Sequence, residues 1–138
     1  MPADSDCLFC KIVAGEIPST RMDEDERTVA FMDINPASRG HVLVVPREHS
    51  TDLHDVGAED LAACARMAQR VATHARDRLG ADGVNLLNSC GQAAWQTVFH
   101  FHVHVIPRYA NDPLRLPWVP GPGDRDEIAA AAEALTGH

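Results

Sequence analysis

Basic residues are scarce in this chain and long apolar runs are missing, and each absence removes a class of function. Twelve lysines and arginines face 20 acids, for a formal net charge of −8. The electrostatic footprint of a protein that tracks a phosphate backbone is therefore lacking, and nucleic acid is not an expected partner. A small anionic ligand stays open, because imidazolium, arginine and backbone N–H groups can hold a phosphate inside an acidic protein. No apolar run approaches the ~18 residues of a membrane helix, so no membrane is expected as a partner. The first residues, Met1-Pro-Ala-Asp-Ser-Asp6, carry two acids and no basic stretch leading into an apolar one. They do not read as a secretory leader, and a cytoplasmic location is the default expectation. Cysteines are few, at positions 7, 10, 64 and 90. Without an export signal they read as metal ligands or buried thiols rather than a disulfide framework.

What is present fits one domain over residues 1–138, with a core at about 7–109 and a proline-rich tail at 110–138. The composition, 45% hydrophobic and 23% charged, is ordinary for a globular protein. Cys7 to Ala14 reads as a brief helix ending at Gly15. Thr20 to Asp23 and Thr28 to Asp33 read as strands of a hairpin across the charged turn Glu24-Asp-Glu-Arg27. His41 to Val45, bounded by Gly40 and Pro46, suits a buried strand. Ala58 to Leu79 is the clearest helix, with Leu61, Ala65, Ala68, Val71 or Ala72, Ala75 and Leu79 forming its apolar stripe. Val84 to Asn88 resumes as strand, residues 89–95 form a loop, and Thr97 to Ile106 is the last strand. Five strands and one main helix predict an α+β fold. Four prolines between Pro113 and Pro122 disfavour regular structure until the alanine-rich segment Asp124 to Leu135, which reads as a helix on an appended tail.

The segment His100-Phe-His-Val-His-Val-Ile106 carries the chemistry. On a strand of period two it sets three imidazoles on one face and Phe101, Val103 and Val105 on the other. A solvent-facing polar strand is the bland account of this pattern. A three-histidine metal site is a second rival, but residues four apart on a strand are separated by ~13 Å, too far for two imidazoles to grip one ion at ~2.0 Å. Phosphoryl or nucleotidyl transfer suits imidazole better, since a neutral ring is nucleophilic near pH 7 and a protonated neighbour stabilises phosphate oxygens. Separately, Cys7-Leu-Phe-Cys10 is half of a zinc site, with a redox pair as its rival in a context that lacks the βαβ setting of such pairs. Cys64 faces a helix and reads as a small buried hydrophobe.

The run His-φ-His-φ-His-φ-φ resembles the signature of the histidine triad (HIT) superfamily, in particular its nucleotide-binding phosphoramidase branch. Flanking blocks agree in order: Phe31-Met-Asp-Ile34, Gly40-His-Val-Leu-Val-Val-Pro-Arg-Glu-His49, Gln96-Thr-Val-Phe99 and Pro107-Arg108. The resemblance covers about residues 7 to 109 and implies a HIT-like fold, a five-stranded antiparallel sheet with one long and one short N-terminal helix. It implies that His102 is the nucleophile, attacking an α-phosphorus to form a nucleotidyl-histidine that water hydrolyses. His104 would hold a phosphate oxygen or the leaving group, and His41 would orient the triad. Gln96, Thr97 and Val98 would lie against the phosphate, the first two donating hydrogen bonds. Phe9, Ile12, Phe31 and Ile34 would form the base slot and Asp33 would take the ribose hydroxyls; relatives often carry an asparagine in the register that falls here on Ser89, with Asn88 beside it, and either of the two would contact ribose or phosphate. Thr97 as a plain strand start, His41 as a core histidine, and Phe31 and Ile34 as core residues remain the alternatives.

In relatives with the cysteine pair, the resemblance points to His49 and His100 as the other ligands of a structural zinc bound with Cys7 and Cys10. The implied substrate is a purine nucleoside phosphoramidate or related nucleotide. Two rivals are a dinucleoside polyphosphate hydrolase or phosphorylase, and a nucleotide-sensing interaction module. A homodimer is also implied. One departure concerns Trp95, which stands where relatives often have glycine; its bulk would narrow the leaving-group side, stack on a ligand or pack in a partner subunit.

Overall fold

The longest element, α2, runs from Ala58 to Leu79, the span its periodicity predicts. Glu59 and Asp60 in its first turn and Arg76 and Arg78 in its last complement the helix dipole. Gly80 ends it in the left-handed region at φ 69°, its N–H reaching the Ala75 carbonyl. The buried face consists of Ala63, Cys64, Met67, Ala68, Val71 and Ala75. This is rotated from the predicted stripe: Leu61 is 37% exposed and Ala65 is exposed. Cys64 and Met67 take the positions that leucine was expected to fill, and the small Ala and Cys side chains let the helix lie close to the sheet.

This computed structural model describes residue 4 and residues 6–137. Part of the leader argument rests on residues 1–3 and 5, which lie outside the described residues. Helix α1 spans Leu8–Val13, β1 Arg21–Glu24, β2 Thr28–Met32, β3 Val42–Pro46, β4 Gly83–Leu87, β5 Val103–Arg108 and α3 Arg125–Thr136. The strands form one five-stranded sheet in the order β1-β2-β3-β5-β4, antiparallel at every pairing. This is the α+β architecture expected.

Alternation along β2 and β3 divides the core into two layers. Ala30, Val42 and Val44 face α2 together with Phe101 and Val105. Val29, Phe31, Leu43 and Val45 face the other way, against Cys7, Phe9, Cys10 and Ile12 of the α1 segment. The N-terminal helix thus lies on the sheet face opposite the long helix. Gly40 has φ 88°, and a Cβ there would meet Leu79 Cδ1 at 2.4 Å. A glycine is needed to bring this chain past the end of α2 and deliver His41 to the sheet.

The last strand is shorter than the sequence suggests, beginning at Val103 rather than Thr97. The β3–β5 ladder stops at Val44 opposite Val103. Two residues on, Pro46 has no N–H to extend it, and the Phe101 N–H bonds instead to the Ser50 carbonyl at 2.8 Å. Phe101, Val103 and Val105 still point into the α2 layer, as the period-two pattern requires.

Between Arg108 and Arg125 no regular element forms, and α3 is exposed throughout. The tail is nonetheless tied back. Asp112 accepts two bonds from the Arg108 guanidinium, at 2.9 and 2.8 Å, and Tyr109 Oη donates to the Arg39 carbonyl at 2.8 Å. Trp118 returns to stack on Trp95, so the first part of the tail lies against the rest of the domain. No helix among the described residues is long and apolar enough to cross a membrane.

Candidate functional site

The three histidines of the segment do not act as one set, because the chain before β5 turns His100 away from the other two. His100 is fully buried. Its Nε2–H donates to the Pro46 carbonyl at 2.8 Å, which leaves the Nδ1 lone pair facing Cys7 Sγ at 3.3 Å and Cys10 Sγ at 3.5 Å. His49 Nδ1 stands 3.5 Å from Cys10 Sγ. These four ligand atoms all lie within 4.8 Å of one another.

A tetrahedral zinc with Zn–S near 2.3 Å and Zn–N near 2.0 Å holds its ligand atoms about 3.6 Å apart. The cluster is close to that spacing. The surroundings also suit a metal, because each ring and each sulfur is oriented by a partner of the correct polarity. Cys7 Sγ accepts the Cys10 N–H and Cys10 Sγ accepts the Asp4 N–H, both at 3.3 Å. Asp4 Oδ2 approaches His49 Nε2 at 3.9 Å. Burial raises the Cys10 thiol above its ordinary value, so without a cation beside it the group is a neutral thiol.

His102 and His104 form the second centre, with ring centroids 5.0 Å apart. The His102 Nδ1–H donates to the carbonyl of His100 at 2.7 Å. One proton on a neutral imidazole then leaves Nε2 with its lone pair, and Nε2 has no hydrogen bond to any described residue. Phe9 supports the ring edge-on at 5.0 Å and 90°. Burial holds His102 below the usual histidine range, so the neutral nucleophilic form dominates at pH 7.

A similar argument sets the state of His104. His41 Nδ1 accepts the Ala37 N–H at 2.9 Å, so a neutral His41 carries its proton on Nε2. That nitrogen is 2.9 Å from His104 Nδ1 and donates to it, leaving the His104 proton on Nε2. Burial, with His102 and His41 nearby, pushes His104 down to about 4. Asp33 Oδ2 lies 3.5 Å from His41 Nε2, and Asp33 Oδ1 takes the Asn35 N–H at 2.8 Å.

Asp33, His41 and His104 also bring three potential ligand atoms together, but they do not suit a metal. An ion on His41 Nε2 would require a proton on Nδ1, where it would oppose the Ala37 N–H. The Ala37 N–H behind His41 thus has the wrong polarity for a metal ligand, in contrast to the partners of the cysteine cluster.

The profile of the HIT domain matches residues 14–111. The chain belongs to the histidine triad family. A HIT relative, the adenosine 5′-monophosphoramidase hnt1 of Schizosaccharomyces pombe, is 35% identical over 131 residues, covering 94% of this chain and 96% of that protein. Among solved HIT-fold structures, a protein of Streptococcus mutans superposes with a TM-score of 0.91 at 38% identity, covering 98% of this chain and 86% of that one. A zinc-bound histidine triad family protein of Mycobacterium smegmatis matches with a TM-score of 0.78 at 42% identity, covering 96% and 98%. Membership of the HIT family makes this chain a nucleotide-binding hydrolase or transferase in broad class.

Other HIT positions fall in two groups. Thr97 is exposed and Val98 half-buried beside the histidines. Phe9, Ile12 and Phe31 are 4%, 8% and 3% exposed; they form a packed floor, with Phe9 on Phe31 at 5.5 Å, rather than an open slot. Ile34 is 89% exposed.

Two of the expected ligand contacts are bonded to the protein itself. Gln96 was expected to donate to phosphate, but its Nε2 donates to the carbonyls of Thr51 and Val98 at 2.8 and 3.1 Å. Its Oε1 accepts the Gly91 N–H at 2.8 Å, so the buried amide is spent on bracing the loop. Asn88 was expected to touch ligand, yet its Nδ2 donates to the His102 carbonyl at 2.9 Å. It positions the main chain of the histidine, while its buried Oδ1 has no partner. The contribution of Ala37, through a main-chain N–H, has no side-chain signal in the sequence.

Proposed function

We propose that this protein removes a nucleoside monophosphate from a purine nucleoside phosphoramidate or a related nucleotide, with His102 as the nucleophile. The observation that carries the reading is the 2.7 Å bond from His102 Nδ1–H to the His100 carbonyl, which fixes the lone pair on Nε2. That lone pair attacks the α-phosphorus and forms a phosphorus–nitrogen bond. The bond to the leaving nitrogen breaks, its electron pair departing with an amine that was protonated in the substrate. In the second step water attacks phosphorus, the bond to His102 breaks, and the pair returns to Nε2. Two moderate displacements replace one difficult one.

His104 presents Nε2–H to the phosphate oxygen or the leaving atom, where a fixed donor stabilises the charge that builds in the transition state. Thr97 Oγ1 and the main chain around Val98 serve the phosphate, and Asp33 with the exposed Ile34 serves the nucleoside. The name of the S. pombe relative, an adenosine 5′-monophosphoramidase, supports this substrate class. Zinc held by Cys7, Cys10, His49 and His100 would be structural, tying α1 to the segment before β5, and it takes no part in either displacement. The zinc-bound M. smegmatis relative supports that assignment. The location is taken as cytoplasmic and the assembly as a homodimer.

The test is intact-mass analysis after brief exposure to adenosine 5′-phosphoramidate. An added adenylyl mass in the wild type, absent in His102→Ala, is the expected result. Hydrolysis that persists in His102→Ala, or turnover with inversion at phosphorus, would refute the double displacement.

A further inference from the structure

Both tryptophans of the chain meet at one place outside the nucleotide site. Trp95 and Trp118 are 56% and 54% exposed, with near-parallel rings 13° apart and centroids separated by 6.0 Å. Trp95 is the one non-glycine among the described residues with positive φ, at 75°. A bulky side chain is rarely held in that region, and such strain gathers at functional sites.

Beneath the pair is a cavity of about 310 Å³, whose lining includes Asn85, Leu87, Ile106 and Arg108. Strand register locates it. Leu87 lies opposite His104 and Asn85 opposite Ile106, and residues paired across antiparallel strands share a face. Ile106 is two residues beyond His104, about 7 Å along the strand. The cavity therefore continues the His104 side of the site, on the same sheet face. Its walls are mainly apolar; the lining Asn85 and Arg108 are bonded to each other at 2.8 Å, and the second lining guanidinium, Arg115, donates to the Leu114 carbonyl at 3.2 Å. A flat apolar ring fits against the indoles and the apolar wall.

Resting on the nucleotidyl-transfer reading above, we propose that Trp95, Trp118 and the cavity beside them form the leaving-group subsite and select substrates whose leaving group carries a planar aromatic ring. That ring could belong to an aromatic amine or to a second nucleoside, and the two sources are separated by experiment. The full-length protein is assayed on two substrate pairs. The first is adenosine 5′-phosphoramidates of tryptamine and of ethylamine; the second is diadenosine tetraphosphate and adenosine tetraphosphate. Within at least one pair the wild type favours the aromatic member by roughly tenfold in kcat/KM, and the pair concerned identifies the source. Trp95→Gly and Trp118→Ala each bring that ratio close to one. Glycine accepts φ 75° without strain, so the first variant folds even if the second is weakened. A wild-type ratio near one in both pairs, or a preference retained in both variants, overturns the subsite and leaves the proposed function standing. Absence of His102-dependent turnover on all four compounds overturns both.

Discussion

The His102 Nδ1–H donates to the main-chain carbonyl of His100, two residues earlier in the same segment, at 2.7 Å. The same His100 turns its own ring into the cysteine cluster. One residue thereby links the two centres, its side chain belonging to the metal-type site and its carbonyl setting the tautomer of the nucleophile. Anything that releases the His100 ring also loosens the group that orients His102.

The His102 main chain is held from a second side by Asn88 Nδ2 at 2.9 Å. Replacing Asn88 with Ala removes a partly buried hydrogen bond worth about 1 kcal/mol of stability and frees the backbone that carries the nucleophile. We expect kcat to fall by roughly tenfold with little change in KM, because orientation matters most in the transition state. A rise in KM alone would show that Asn88 binds substrate directly, as its sequence position first suggested.

His41 acts through His104. Without the Ala37–His41 chain, His104 loses the donor that keeps its proton on Nε2, and one of the neighbours that depress its proton affinity. For His41→Ala we expect kcat to drop by about 10- to 100-fold, the usual range for removing an orienting partner. The acid limb of kcat/KM should also move to higher pH. A variant with reduced rate but an unmoved pH profile would point to packing alone.

Much of this was legible in the residues and some was not. The span of α2, all five strands and the pairing of Cys7 and Cys10 with His49 and His100 follow from periodicity, from the glycines and prolines that bound the strands, and from the family motif. The start of β5 was misplaced because alternation persists in extended chain that has left the ladder, so His100 keeps the pattern without being on the strand. The loop bonds of Gln96 were not legible because a buried amide reveals its partners only once Gly91, Thr51 and Val98 are folded around it. The return of Trp118 to Trp95 depends on a contact 23 residues long in sequence, for which local pattern has no signal.

The buried histidines impose a pH window on stability. Burial pushes His104 down to about 4 in the fold, and His41 and His102 are also lowered, chiefly by burial, against about 6.5 in the unfolded chain. Between these values the unfolded state binds more protons, so stability is full above about pH 6.5 and falls as the pH drops toward 4. On the order of a few kcal/mol is at stake across the set. Urea midpoints measured at pH 7 and pH 4.5 should differ accordingly, and His104→Gln should flatten the difference. Equal midpoints would mean that these rings are more hydrated than their burial implies.

Thiol accessibility tests the zinc assignment without any appeal to catalysis. Cys64 is fully buried in the α2 layer, and burial pushes its thiol up to about 12; at pH 8 almost none is thiolate, so it resists iodoacetamide. Cys90 is only half-buried and is expected to react. If Cys7 and Cys10 hold zinc, native protein takes up one label, and chelation of the metal raises the number to three as the cluster opens. Loss of zinc should also lower the melting temperature, because α1 is then tied to the sheet by packing alone. Elemental analysis that finds no zinc in native protein, or a label count that stays at one after chelation, would show that these four side chains only pack together.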